Sequence, residues 1–270
     1  MPELPEVETT MRGIEPYLLK KKIKSIQVHQ AQLRWPVPAE LAATKELTVR
    51  TLTRRGKYII AATRQGSIII HLGMSGSLRV VDLPFERRKH DHVVFELSNK
   101  KFMLYHDPRR FGTILWTTDK TEAHPLLREL GPEPLSEAFN GTHLYKKSRN
   151  RKVAVKNFIM NGHVVVGVGN IYASEALFRS GIRPGTAAGR LSTARFEQLA
   201  DNIKAVLAAA IKSGGTTLRD FVNSEGEPGY FQQTLDVYGR EGLPCNKCRA
   251  LIKQRTIGQR SSFYCPKCQS

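Results

Sequence analysis

The sequence predicts an α+β multidomain chain: an N-terminal helix plus β-sandwich, a C-terminal helical domain, and a short four-cysteine module at the end. Three observations carry this expectation. Short apolar runs separated by turn signals such as Arg55-Gly56, Gln65-Gly66 and Ser98-Asn99 fill the first part of the chain. Helical periodicity replaces them after a stretch containing Pro125, Gly131, Pro132 and Pro134. All four cysteines lie in the last 26 of the 270 residues, a length that allows more than one core. The expected segments are 1–118, a linker over 119–134, a helical segment over 135–234 and the cysteine module over 235–270.

The first helix follows from Leu4, Val7, Met11, Ile14 and Leu18 at helical spacing, with Pro5 suited to its first turn. Before it stand Pro2 and Glu3. A small residue after the initiator methionine favours removal of that methionine, which leaves a proline secondary amine as the mature N-terminus. An α-amino group titrates at roughly pH 8, so part of it is an uncharged nucleophile near neutrality. Amines attack electrophilic carbon to give imine-type intermediates, and Glu3 is the adjacent carboxylate for acid or base work. The same residues also read as an ordinary capped helix with acidic groups at its positive dipole end.

Strand-like runs follow at Ile23–His29, Leu47–Thr53, Tyr58–Thr63, Ser67–Leu72, Leu78–Val81, Val93–Leu97, Phe102–Tyr105 and Thr113–Trp116. Beyond the linker, Thr142–Lys147 and Lys152–Met160 read as helices, and Gly162–Asn170 breaks the pattern. Ile171–Ser180 resumes it up to Gly181. Ser192 suits an N-cap for a long helix striped by Phe196, Leu199, Ile203, Leu207, Ala210 and Ile211, and Gly214-Gly215 end it. Thr216–Tyr238 is polar and irregular.

A net charge of +18 attracts a polyanion, nucleic acid first and an anionic membrane surface second. No apolar run approaches the ~20 residues of a membrane span. No basic start followed by an apolar stretch suggests secretion, so a cytosolic location is the default. Cys245-x2-Cys248 and Cys265-x2-Cys268, separated by 16 residues, fit one tetrahedral zinc site. Disulfides do not suit a reducing compartment, and a thioredoxin-like context for redox CxxC motifs is missing. Four thiolates leave no open position, so the metal is expected to be structural. No acidic residue follows Cys245, and Lys247, Arg249, Lys253, Arg255, Arg260 and Lys267 make the module basic.

Several smaller groups invite two readings each. Gly167-Val168-Gly169-Asn170 is either an anion-binding nest ahead of a helix or a plain helix–helix turn. Lys57 is a phosphate ligand or a solvated turn lysine. His90-Asp91-His92 has no third partner for a metal, which leaves His90 as a phosphate contact. Met74 and Arg109-Arg110-Phe111 sit on loops, from which apolar and arginine side chains can wedge into a base stack. They read equally as a buried methionine and phenylalanine with solvated arginines.

Taken together, Pro2-Glu3-Leu4-Pro5-Glu6-Val7-Glu8, Arg55-Gly56-Lys57, His71-Leu72-Gly73-Met74-Ser75-Gly76, Asp107-Pro108-Arg109-Arg110-Phe111-Gly112, Gly167-Val168-Gly169-Asn170-Ile171-Tyr172-Ala173 and the cysteine module closely resemble the bacterial formamidopyrimidine-DNA glycosylase family from end to end. Leu4 looks like that branch, whereas the related endonuclease VIII branch typically has glycine there. The resemblance implies a helix-two-turn-helix in the helical domain, one structural zinc, damaged double-stranded DNA as partner and a monomer. It implies a bifunctional glycosylase and abasic-site lyase acting on 8-oxoguanine and ring-opened purines, with β- and δ-elimination. Pro2 matches the nucleophile, Glu3 the acid/base and Glu6 a carboxylate that supports the active site. Lys57 and Arg260 belong with the catalytic group, and with His90 and Asn170 they match phosphate-gripping positions. Arg109 and Lys156 match DNA-binding positions, Lys156 near the lesion pocket. Met74, Arg109 and Phe111 match the wedge, and Thr216–Tyr230 the loop that closes over the base. Asn161 departs from the family, which commonly carries aspartate there.

Overall fold

In the computed structural model, residues 2–214 and 235–270 are described, so the Thr216–Tyr230 loop lies outside the described residues. The chain divides into two units, one covering residues 1–128 and the other 129–212 with the C-terminal segment from 235.

The first unit opens with helix α1 (Leu4–Leu18), followed by β1 (Lys22–Val28), a short helix α2 (Ala39–Ala43), β2 (Leu47–Thr48), β3 (Thr51–Arg55), β4 (Tyr58–Ala62) and β5 (Ser67–His71). Strands β6 (Ser77–Asp82), β7 (Asp91–Leu97), β8 (Lys101–His106) and β9 (Thr113–Thr117) complete it. They form two antiparallel sheets, β2-β1-β7-β8-β6 and β3-β4-β5-β9. One apolar cluster takes Val7, Ile14 and Leu18 from α1, Ile23 and Phe95 from the first sheet, and Ile59, Ile68 and Ile70 from the second. This is the expected sandwich, with the helix packed into the same core. Ile68, Ile69 and Ile70 on β5 are all buried, so both faces of this strand are covered, which explains an unbroken apolar run where a half-exposed strand would alternate.

The run Leu47–Thr53 is not one strand. Leu47 pairs with Ile23 in the first sheet, whereas Leu52 pairs with Ala61 in the second. Between them Val49 N–H donates to Lys21 O and Arg50 N–H to Ala62 O, so two residues carry the chain from sheet to sheet without losing backbone bonds. Propensity alone does not register such a crossing.

The second unit contains α3 (Gly141–Ser148), α4 (Val155–Ile159), α5 (Asn170–Arg179), α6 (Thr193–Lys212) and the hairpin β10 (Lys253–Ile257)–β11 (Arg260–Tyr264). Asn140 caps α3 by accepting the His143 N–H at 2.9 Å. The helix expected from Lys152 starts only at Val155, whose N–H is taken by Thr186 O at 2.7 Å. Ser192 Oγ accepts the Arg195 N–H at 3.3 Å, the cap expected for α6. A stretch of turns joins α4 to α5, with Gly167 at φ +82°. Asn161 Oδ1 accepts the His163 N–H at 3.0 Å, so the amide serves as the acceptor an aspartate would supply in that turn. Glu175 on α5 is buried and accepts the N–H groups of Asp236, Val237 and Tyr238, which docks the segment entering the cysteine module. Burial pushes its carboxyl up, against the opposing pull of those three donors.

Candidate active site and metal centre

The N-terminal turn is built around two buried carboxylates. Glu3 is the N-cap of α1, its side chain accepting the Glu6 N–H, while Glu6 Oε2 accepts the Glu3 N–H at 2.8 Å. This reciprocal capping box satisfies two helix-end donors and fixes the backbone carrying Pro2. Pro2, Glu3 and Glu6 are all buried. The cap therefore holds Pro2 beside an enclosed carboxylate.

Lys57 follows Gly56 in the turn joining β3 and β4, with Gly56 at φ +56°. Its charge acts on His71, whose imidazole lies 4.8 Å from the Tyr58 ring, centroid to centroid. Burial first, then the charges of Lys57 and Arg34, push the His71 pKa down to about 4. His71 Nδ1 accordingly accepts the Gly73 N–H at 3.0 Å and anchors the Met74 loop.

His90 belongs to a histidine cluster, its ring centroid 5.9 Å from those of both His92 and His106. Asp91 organises this corner: it pairs with Arg79, accepts the Arg88 N–H at 2.7 Å, and lies 2.9 Å from His106 Nδ1. Its carboxyl is held below the usual range: burial alone would raise it, but the bonds from His106, Arg88 and Arg79 outweigh that. Asp91 is thus committed to these three partners.

Met74 is half-buried, whereas Phe111 is 46% exposed with the Arg109 guanidinium 4.9 Å from its ring centroid. The alternative of a buried phenylalanine does not hold. An exposed aromatic, a stacked arginine and a methionine share one corner of the sandwich.

In the second unit, Lys156 is completely buried, and its ammonium donates to Ser261 O at 2.9 Å and Ser262 Oγ at 2.7 Å. Asn170, the first residue of α5, donates to the same Ser261 carbonyl at 3.1 Å, and its buried Oδ1 has no partner among the described residues. Two residues expected to meet DNA therefore also fix the strand that begins at the exposed Arg260. Their convergence on Ser261, like the contacts of His71 and Asp91, was not read from the sequence.

The four cysteine sulfurs lie within 4.8 Å of one another, with Cys245 Sγ–Cys268 Sγ at 3.9 Å and Cys248 Sγ–Cys265 Sγ at 3.4 Å. A tetrahedral site with Zn–S bonds of about 2.3 Å requires sulfur–sulfur separations near ~3.8 Å, so the donor set fits zinc. Cys268 N–H also points at Cys265 Sγ from 3.4 Å, a donor of the kind that stabilises a thiolate ligand. The site is closed and structural, and it clamps the hairpin that carries Arg260.

A sandwich that begins with a buried Pro-Glu turn, followed along the chain by a helical unit ending in a closed four-cysteine site, is the order of parts of the zinc-bearing helix-two-turn-helix DNA glycosylases. Residues 1–114 match the formamidopyrimidine-DNA glycosylase N-terminal domain, 130–222 its H2TH domain, and 242–270 the zinc finger found in FPG and IleRS. Over their full lengths, the formamidopyrimidine-DNA glycosylases of Methylococcus capsulatus and Alcanivorax borkumensis are each 55% identical to this chain. The Thermus thermophilus MutM (Fpg) crystal structure superimposes with a TM-score of 0.89 at 35% identity, covering 99% of this chain and 98% of that one. A Lactococcus lactis Fpg mutant in complex with Fapy-dG-containing DNA gives 0.92 at 32% identity, covering all of both chains. The chain belongs to the formamidopyrimidine-DNA glycosylase family.

Proposed function

We propose that this chain is a bifunctional DNA glycosylase and abasic-site lyase of base excision repair, removing 8-oxoguanine and formamidopyrimidines from duplex DNA. The observation that carries the reading is the buried Glu3–Glu6 capping box, which holds an amine position and a carboxylate together at the start of the sandwich. In this reading a damaged nucleotide must leave the stack before C1′ can be reached, at a cost of a few kcal/mol that is least for damaged bases. The Pro2 amine attacks C1′, the base departs, and the resulting iminium acts as the electron sink for β- and then δ-elimination. Glu3 protonates the opening sugar and handles the later proton transfers, and Glu6 keeps it in place. Lys57, His90, Asn170 and Arg260 grip the phosphates, with Lys57 and Arg260 serving the catalytic group. Lys156 sits near the lesion pocket. Met74, Arg109 and Phe111 fill the vacated position. Zinc, held by Cys245, Cys248, Cys265 and Cys268, takes no part in the chemistry and keeps the Arg260 hairpin folded.

Within the same reading the catalytic domain spans 1–118, the linker 119–134, the helical domain 135–234 and the zinc module 235–270. The protein works as a monomer in the cytosol. Among the described residues no helix is long and apolar enough to cross a membrane.

Duplexes carrying 8-oxoguanine opposite cytosine, or thymine glycol, test the reading. Faster excision of 8-oxoguanine, with a strand nick on both sides of the lost nucleotide, is expected. Preferential release of thymine glycol would assign the chain a pyrimidine substrate instead.

A further inference from the structure

We infer that Asp107 and Ser75 are positioning residues that lock the Met74 loop to the Arg109–Phe111 loop, so that the two enter a base stack as one rigid wedge. The inference rests on the wedge role proposed above and supplies the device that makes two loops act together. The loops come from distant parts of the chain. Met74 lies between β5 and β6 and Phe111 between β8 and β9, and each connection crosses from one sheet of the sandwich to the other.

Asp107 is fully buried, and its two carboxylate oxygens are divided between the loops. Oδ1 accepts from Ser75 Oγ at 2.7 Å, and Oδ2 accepts the Gly112 N–H at 2.8 Å. Ser75 Oγ in turn accepts the Arg109 N–H at 3.2 Å, which closes a ring of bonds across the two loops. The backbones also touch. A Cβ on Gly73, at φ +63°, would lie 2.3 Å from Gly112 N and 2.4 Å from Phe111 C. The same aspartate reaches the third DNA-facing element: its N–H donates to His90 O at 3.0 Å, and His92 Nε2 donates to its carbonyl at 2.9 Å.

Bonds to an ionised carboxylate are shorter and stronger than neutral ones, and burial shields these from water. A methionine and a phenylalanine on separately moving loops would each lose freedom on inserting between bases. Fixing both in advance removes that cost from the insertion step. Oδ2 also accepts from the Tyr105 hydroxyl at 3.3 Å, which ties the lock to β8.

The test uses the full-length, zinc-loaded protein. With 2-aminopurine beside 8-oxoguanine in the duplex, Ser75→Ala is expected to slow the fluorescence step that reports extrusion about three- to tenfold, the scale of one lost charge-assisted bond. Nicking of a preformed abasic site, which has no base to displace, stays near wild type. In a Met74→Ala background Ser75→Ala adds no further loss, because both changes act on one element. In the DNA-free protein, the Met74 methyl resonance gains mobility in Ser75→Ala. An extrusion step at wild-type rate, equal losses on abasic DNA, additive losses with Met74→Ala, or an unchanged methyl resonance would each overturn the tether. The methyl measurement needs no turnover. A wild-type protein inert on 8-oxoguanine would therefore refute the functional reading while still leaving the tether decided. Asp107→Asn keeps the shape and removes the charge. Should it fail to fold, Ser75→Ala decides the matter, since Ser75 is only half-buried.

Discussion

Glu6 commits one oxygen to the Glu3 N–H, and Glu3 returns the bond to the Glu6 N–H, so neither carboxylate can move without breaking the start of α1. A side chain placed this firmly suits proton transfer, which demands a fixed donor–acceptor distance. Glu3→Gln preserves the cap acceptor and removes the titrating proton. Single-turnover release of 8-oxoguanine is expected to fall roughly 10²–10⁴-fold, with the helix content unchanged. His71 makes a different prediction. Its folded pKa, near 4, lies below the ordinary value of 6.5. Between those values the unfolded chain binds a proton that the folded chain refuses, so stability falls as pH drops from about 6.5 to about 4 and is flat above. Urea unfolding at pH 7, 5.5 and 4.5 should show this decline, and His71→Gln should flatten it. A variant declining as steeply as wild type would assign the acid sensitivity elsewhere. At this scale the proposal for Pro2 and Glu3 could be made from the sequence, because it rests on order and spacing. It was silent on Asp107 and Ser75, whose meaning lies in contacts between residues 32 positions apart.

Among the described residues, a close constraint lies where β5, β8 and the loop before β9 meet. A Cβ on Gly112 would fall 1.8 Å from the Tyr105 hydroxyl and 2.6 Å from His71 O, distances no side chain tolerates. Gly112→Ala should cost about 1–3 kcal/mol or more in chemical denaturation, the range for overpacking a closed core. Tyr105→Phe, by removing the hydroxyl, should return part of that loss in the double variant. Additive losses would mean that the clash is relieved by backbone movement instead. The sandwich strands were legible because their apolar runs are short and punctuated. The crossing inside Leu47–Thr53 was not, because each half keeps β propensity while changing partners. Helix α6 was legible from its stripe and its Ser192 cap. The late start of α4 was hidden, since it depends on Thr186 capturing the Val155 N–H from 31 positions away.

For the molecule as a whole, charge and metal divide the work. The excess of 42 basic over 24 acidic side chains supplies a general attraction to phosphate, and the zinc module holds one basic hairpin in a defined shape. The order of parts was legible because cysteine spacing and changes of periodicity survive in a bare sequence. How Lys156 and Asn170 both secure Ser261, 105 and 91 positions distant, was not. The grip on phosphate predicts a steep salt dependence of duplex binding. Lys57→Met should reduce the slope of log K against log salt by about 1, uniformly over damaged and undamaged duplexes. The claim on which the rest depends is the covalent bond from Pro2 to the sugar, and mass spectrometry of the borohydride-trapped 8-oxoguanine adduct tests it most directly. The expected product is a peptide that begins at Pro2, lacks Met1 and carries the reduced sugar on the proline nitrogen. A peptide that keeps Met1, or a sugar linked through an internal lysine, would contradict it.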